Sequence, residues 1–297
     1  MDGLIVVNQS IGHNQYKIDR FVEEFNKLNV KVDILINKGD VAKIENGKIF
    51  INIPRYDFVI YLDKDIYLAR LLEKDGYRLF NKADFIKICD DKMLTLICCA
   101  NEGFPIIKTL PSPLVYVDEL EDKHYEFLDH VVEEVGLPLV AKKVYGSLGE
   151  GVYLINSKEQ LKQFYKKSFR NPLLFEEYVS SSKGRSLRAL VIDQKVIGII
   201  ERDNPNDFRS NFGTENYSKN YEKNEKCWDF AQKIADYLKI EYAGIDFLID
   251  ENNNPVLCEI NSNAFFEEFE KTTKINVAEL FVKMVIKKVK DEQEQKQ

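Results

Sequence analysis

Histidine is scarce: His13, His124 and His130 are the three in 297 residues, and none stands in a metal-ligand or catalytic-triad spacing. With no Gly-x-Ser-x-Gly elbow either, a triad hydrolase has no candidate nucleophile. Basic excess is missing. The net charge is −7, whereas general nucleic-acid binding favours a basic face; a single cationic cleft remains compatible with it. No apolar run approaches the ~20 residues of a membrane helix, and the run at 4–7 is too short, and lacks the basic start, for a signal peptide. The five cysteines, Cys89, Cys98, Cys99, Cys227 and Cys258, are odd in number and without Cys-x-x-Cys spacing. They read as reduced thiols of a cytoplasmic protein. No Gly-x-Gly-x-x-Gly follows the first strand, which argues against a dinucleotide-binding oxidoreductase, and no Gly-Lys-Ser/Thr marks a Walker A loop.

What is present is an ordinary globular balance, 44% hydrophobic and 31% charged, over a length that suits two or three lobes with buried cores. Apolar runs at 4–7, 30–36 and 58–62 alternate with a helical spacing at Ile18, Phe21, Val22, Phe25 and Leu28 and a helix at 66–74. This β-α-β pattern predicts a small parallel sheet with helices on its faces. Asn46-Gly47 between two short apolar runs predicts a type I′ hairpin. A lobe boundary is expected near 81–91, followed by one helix running to Gly103 with Pro105 beyond. From Leu137 onward strand signals dominate, at 139–144, 152–155, 173–179, 187–192, 196–200, 243–249 and 256–260. A helix at 225–238 interrupts them, and a last helix carries Val277, Leu280, Phe281, Met284 and Val285 on one face. The tail at 291–297 is polar and expected to fray.

Four segments carry chemistry. Lys142-Lys143 ends a strand and leads through Gly146-Ser147-Leu148-Gly149-Glu150-Gly151 to the strand at Val152. Glycines let backbone N–H groups approach phosphate oxygens, and a lysine beside them neutralises phosphate charge. Alone, this segment reads as a plain hairpin turn. Asp246 lies in one apolar strand, Glu259 and Asn261 in the next. Residues 259 and 261 share a strand face, and an antiparallel pairing through the turn at 250–255 brings Asp246 near Glu259. Two carboxylates and an amide oxygen suit Mg²⁺ or Mn²⁺; a structural salt bridge to a lysine is the competing reading. The strand ending in Glu176-Glu177-Tyr178-Val179 suits the edge of an adenine and reads equally as an edge strand with a solvated acidic end. Arg188 and Asp207-Phe208-Arg209-Ser210-Asn211 offer guanidinium forks for carboxylate or phosphate, although a single arginine is commonly a surface ion-pair partner.

Taken in this order, the segments resemble the ATP-grasp ligases, most closely the RimK-like branch. The resemblance covers residues 81–289. It also rests on Asp91-Lys92-Met93-Leu94 with Gly103-Phe104-Pro105, on Ala243-Gly244-Ile245-Asp246 with Glu259-Ile260-Asn261-Ser262, and on the run from Glu270 to Ala278. It implies an α/β fold, α+β in part: a small N-terminal pre-ATP-grasp β-α-β lobe over 1–82 and a two-lobed ATP-grasp domain over 83–290. It implies ADP-forming ligation of a carboxylate to an amine through an acyl phosphate, with glutamate as the amino acid added. Lys92 and Lys142, with Gly146, Ser147, Gly149 and Gly151, would hold the phosphates of ATP. Glu176, Glu177, Tyr178 and Val179 would line the adenine. Asp246, Glu259 and Asn261 would bind two Mg²⁺ (or Mn²⁺) ions, and Arg188, Arg209 and Asn211 would sit where the carboxylate meets the γ-phosphate. The partners implied are ATP, a carboxylate acceptor on a protein or a small molecule, and an amino-acid amine. A homo-oligomer is compatible with this; neither nucleic acid nor membrane is required.

Two departures from the pattern stand out. Ser186 occupies a position where relatives carry an acidic residue for the ribose. After Asn211 the chain reads Phe212-Gly213-Thr214-Glu215-Asn216-Tyr217, where many relatives are basic and glycine-rich. That loop is expected to face the acceptor, so a small-molecule amino-acid or peptide ligase is a rival reading. A non-catalytic ATP-binding regulator is another; the Asp246, Glu259 and Asn261 set argues against it, since nucleotide binding alone rarely needs all three.

Overall fold

The computed structural model describes residues 1–9, 11–147, 149–212, 217–222 and 224–295. The chain opens with β1 (Asp2–Val7), α1 (Gln15–Lys27), β2 (Lys31–Ile36), the hairpin β3 (Ala42–Glu45) and β4 (Lys48–Ile51), β5 (Phe58–Tyr61), α2 (Ile66–Lys74) and β6 (Leu79–Phe80). A parallel sheet runs in the order β2-β1-β5-β6. Its central strands are apolar on both faces and buried, as helices on both sides require. Asn46 and Gly47 take φ of 51° and 72°, as a type I′ turn needs.

Two helices follow where one was expected, α3 (Ala83–Asp90) and α4 (Lys92–Cys99). Asp91 makes the break. Its backbone is extended, and its carboxylate accepts from the Leu94 amide, capping a new helix. Lys92 therefore stands in a first turn.

The next lobe comprises β7 (Thr109–Pro111), α5 (Glu126–Val135), β8 (Leu139–Lys143), β9 (Val152–Ile155), α6 (Lys158–Ser168) and β10 (Leu173–Glu177), with an antiparallel sheet ordered β7-β10-β8-β9. The sequence reading passes over α5 and α6. The reason is visible in α6, whose buried Leu161, Phe164 and Tyr165 are diluted by lysine and glutamine.

The last lobe comprises β11 (Arg185–Ile192), β12 (Lys195–Asp203), β13 (Tyr217–Asn220), α7 (Glu225–Tyr237), β14 (Tyr242–Ile249), β15 (Pro255–Asn261), α8 (Glu267–Thr273) and α9 (Val277–Glu294). Its antiparallel sheet runs β13-β12-β11-β14-β15. One face, with Leu187, Ala189, Ile199, Ile245 and Phe247, packs on α7. On the other face Leu190, Ile192 and Ile200 share a core with α1, α9 and the first sheet. Phe21 stacks on Phe281 there, with centroids 4.7 Å apart. The tail expected to fray is helical through Glu294, because Glu292 pairs with Arg78 and Gln293 donates to Asp57. Among the described residues no helix is long and apolar enough to cross a membrane.

Lys17 of α1 is 1% exposed. Its ammonium donates to Asn263 Oδ1 and to the Ala264 carbonyl, and faces the rings of Tyr242 and Phe265. Burial pulls its pKa from 10.5 down to about 7. In the unfolded chain the amine keeps its ordinary value. Between pH 7 and 10.5 the unfolded state therefore binds more protons, and stability rises with pH. Denaturant titrations of wild type and Lys17→Met are expected to show the wild type gaining a few kcal/mol on the variant across that window. A pH-independent difference would show that the amine is not desolvated.

Candidate active site

Antiparallel pairing places Arg188, Asp246 and Glu259 opposite one another on β11, β14 and β15, so their side chains share one sheet face. Ser186 and Arg202 are paired on the same face. Arg188 grips Asp246 bidentately, Nε donating to Oδ1 at 2.6 Å and Nη2 to Oδ2. Asn261 Nδ2 donates to Asp246 Oδ2 at 3.1 Å and to Glu259 Oε1 at 3.0 Å. The three oxygen-bearing groups singled out in the sequence thus converge, and the ion pair of Asp246 is with Arg188 rather than with a lysine. Burial alone would raise the pKa of Glu259. Lys92, the Asn261 hydrogen bond, Lys142 and Arg188 outweigh it and hold the carboxyl at about 2.

The opposing lobe contributes Lys142 on β8, whose ammonium lies 2.5 Å from Glu176 of β10 and 3.7 Å from Cys258 Sγ. Burial works against that charge, yet the balance is upward. Burial also pushes the Cys258 thiol up to about 12, so the sulfur is neutral near pH 7 and the carboxylates Glu176 and Glu259 sustain the ammonium. Lys92 donates to the Gly146 carbonyl at 2.7 Å and lies 4.0 Å from Glu259. It links the glycine loop to the carboxylate row.

Gly149 and Gly151 both take φ of 74°, which side chains disfavour. A Cβ on Gly149 would stand 3.2 Å from the Phe212 ring, so the loop sits close against the 208–212 arm. Arg209 fastens the two. It donates to the carbonyls of Gly149 and Val152 at 3.0 and 3.3 Å, is held bidentately by Asp207, and lies 3.4 Å over the Phe212 ring. Of the two arginines expected beside the reacting groups, Arg188 commits Nε and Nη2 to Asp246, and Arg209 commits Nε, Nη1 and Nη2 to Asp207 and the loop carbonyls.

Two cavities meet here. The first lies between the lobes and is lined by Lys92, Lys142, Gly146, Ser147, Gly149, Glu176, Glu177, Tyr178 and Val179, with Ile107, Val140 and Leu248 as an apolar wall. The second is lined by Lys64, Arg188, Arg202, Asn263, Phe265 and Glu268, among others. Ser147, Ser210, Asn211 and Glu259 line both. Gly151 lies against Lys143 at the loop's base rather than on either wall. Ser186 pairs its hydroxyl with that of Ser210 at 2.6 Å. Residues 213–216, in the loop expected to face the acceptor, lie outside the described residues.

The sequence reading misses Arg202, Asn263 and Glu268. Arg202 ends an apolar strand and shows its face only once the β11–β12 register is known. Among the described residues no three histidine, cysteine or acidic side chains gather as a metal cage. The donor set is instead two carboxylates and an amide. It fits a hard divalent cation in chemistry: Glu259 stays ionised, and rotating the Asn261 carboxamide turns its oxygen toward the same point.

The profile of the RimK-like ATP-grasp domain matches residues 89–285, more than half of the chain. An uncharacterized protein of Mycoplasma genitalium is 32% identical over 207 residues, 69% of this chain and 72% of its own length. The glutamate–LysW ligase ArgX of Sulfurisphaera tokodaii is 30% identical over 243 residues, 78% of this chain and 82% of its own. Among solved structures, the ATP-grasp ligase PsnB complexed with minimal precursor, Mg and ADP has the same fold, with a TM-score of 0.69 at 16% identity over 97% of both chains.

Proposed function

Because the chain belongs to the RimK-like ATP-grasp family, an ATP-dependent group of ligases that form carbon–nitrogen bonds, we propose how its own residues divide that reaction. The observation that carries the reading is the shared wall of Ser147, Ser210, Asn211 and Glu259 between two cavities. ATP occupies the cavity between the lobes, its adenine against the apolar wall beside Glu177, Tyr178 and Val179. Lys92, Lys142 and the glycine loop hold its phosphates. The substrates occupy the second cavity, and the γ-phosphate meets the carboxylate at the common wall.

Asp246, Glu259 and Asn261 hold Mg²⁺ or Mn²⁺, two ions in the fullest form. Such a cation offsets charge on the phosphates. Phosphoryl transfer needs mainly positioning and charge stabilisation, and this site offers lysines and carboxylates rather than a covalent nucleophile. Carboxylate oxygen takes the γ-phosphoryl group, ADP leaves, and the amine then displaces phosphate from the acyl carbon. Arg209 acts through the loop: by clasping Gly149 and Val152 it keeps the glycine turn over the acyl phosphate and excludes water. Residues 1–82 form the pre-ATP-grasp lobe and 83–290 the ATP-grasp domain. The amine donor is an amino acid, glutamate by likeness to the ArgX ligase.

Incubation with ATP, Mg²⁺, glutamate and a panel of protein and small carboxylate acceptors is expected to release ADP and to add the mass of a glutamyl residue to one acceptor. ADP release that never exceeds the acceptor-free rate, with any amino acid, would leave a nucleotide-binding regulator as the better reading.

A further inference from the structure

The second cavity contains a guanidinium that the reaction so far leaves idle. Arg202 is 8% exposed, and its Nε has no hydrogen-bond partner among the described residues. Its ion pairs are loose: Nη1 lies 3.8 Å from Asp246 Oδ1 and Nε lies 3.4 Å from Glu268 Oε2. Arg188 already takes both oxygens of Asp246. A guanidinium keeps its charge at neutral pH. A buried cation with unspent donors is costly unless an anion arrives to meet it.

The cavity that Arg202 lines is the one assigned above to the substrates. Arg202 lines the cavity of Lys64, Asn263 and Glu268, and is absent from the wall of the one that holds the glycine loop and Lys142. A planar fork takes carboxylate or phosphate bidentately, and in the substrate cavity the anion it meets is a carboxylate. Across from it Glu268 is fixed in place, since Ser218 Oγ donates to its Oε1 and leaves Oε2 turned to Arg202. A cationic fork and an anionic oxygen 3.4 Å apart match the head group of a zwitterionic α-amino acid, whose carboxylate and ammonium are separated by a single carbon.

We propose that Arg202 and Glu268 form the head-group clamp for the amine-donating amino acid, the guanidinium taking the α-carboxylate and Glu268 the α-ammonium. The clamp rests on the ligase reading above, but its test is one of binding. L-glutamate, γ-aminobutyrate (without the α-carboxylate) and glutarate (without the ammonium) are titrated calorimetrically into the protein holding Mg²⁺ and a non-hydrolysable ATP analogue. Wild type is expected to bind glutamate at least ~10-fold tighter than either analogue, the worth of one charged hydrogen bond. Arg202→Met is expected to weaken glutamate by ~10–100-fold and to erase the preference over γ-aminobutyrate. Affinity for the ATP analogue should stay within ~2-fold, because losing a partner in one cavity leaves the other's contacts in place. Arg202→Lys restores the charge without the fork and recovers only part of the loss. Glu268→Gln is expected to weaken glutamate while leaving glutarate unchanged.

The clamp is overturned if wild type binds γ-aminobutyrate as well as glutamate, binds neither, or if folded Arg202→Met keeps the wild-type preference. Should that variant not fold, the wild-type ligand series and Glu268→Gln decide alone. Selective glutamate binding without any ADP release would sink the ligase reading and leave the clamp standing.

Discussion

Glu259→Gln is expected to lower ADP formation by ~100-fold or more, the scale of losses at metal sites, with a melting temperature near that of the wild type. Three features set this expectation. Glu259 stands on the wall between the two cavities. It is the carboxylate of the row that Arg188 does not bind, so its oxygens are less committed to the protein than those of Asp246. Its side chain is 24% exposed, and without its charge Lys142 keeps Glu176 and Lys92 keeps the Gly146 carbonyl, so neither lysine is stranded. Glutamine keeps the volume and can still accept from Asn261 Nδ2. Activity and melting curves on the same preparation check the claim; a folded variant with near-normal turnover would remove Glu259 from the chemistry.

Arg188→Met is expected to act the other way, on stability before catalysis. Arg188 and Asp246 are 6% and 5% exposed. Removing the arginine leaves a buried carboxylate whose remaining partners are Asn261 Nδ2 at 3.1 Å and Arg202 at 3.8 Å. Breaking a buried pair from one side costs about 3–5 kcal/mol, on the order of 10 °C in melting temperature for a chain of this size. Replacing both partners, as in Arg188→Met with Asp246→Leu, should recover most of that stability, since a matched apolar pair is often neutral. Calorimetry of the two singles and the double closes the cycle. If Arg188→Met melted like wild type yet lost activity, Arg188 would belong to the substrate rather than to the scaffold.

These two variants divide a row that the sequence presents as uniform. Asp246, Glu259 and Asn261 were legible because a short turn between two apolar strands leaves little freedom: side chains two apart share a face, and the partner strand comes back beside them. Asn46-Gly47 was legible for a similar reason, since its left-handed backbone is a local preference. Where the outcome depended on which of several partners a charge meets, the linear pattern was silent. Arg188 and Arg209 look alike as forks near a site. One is neutralised by an aspartate on a strand 58 residues away, the other by an aspartate two residues back, while it also donates to a loop carbonyl 60 residues away.

The chain of residues therefore determined, by itself, the elements with strong local period, the glycine turn, the carboxylate pair and hence the kind of chemistry. Only the tertiary structure decided which cations are spent and which remain free, that Arg202 and Glu268 face each other, and that Lys17 is buried against the segment following Asn261. The physical reason is range. Backbone preference and side-chain alternation act over a few residues, whereas the state of a buried charge is set by whatever group the fold brings within a few ångströms, and strand register across β11, β12, β14 and β15 fixes that identity.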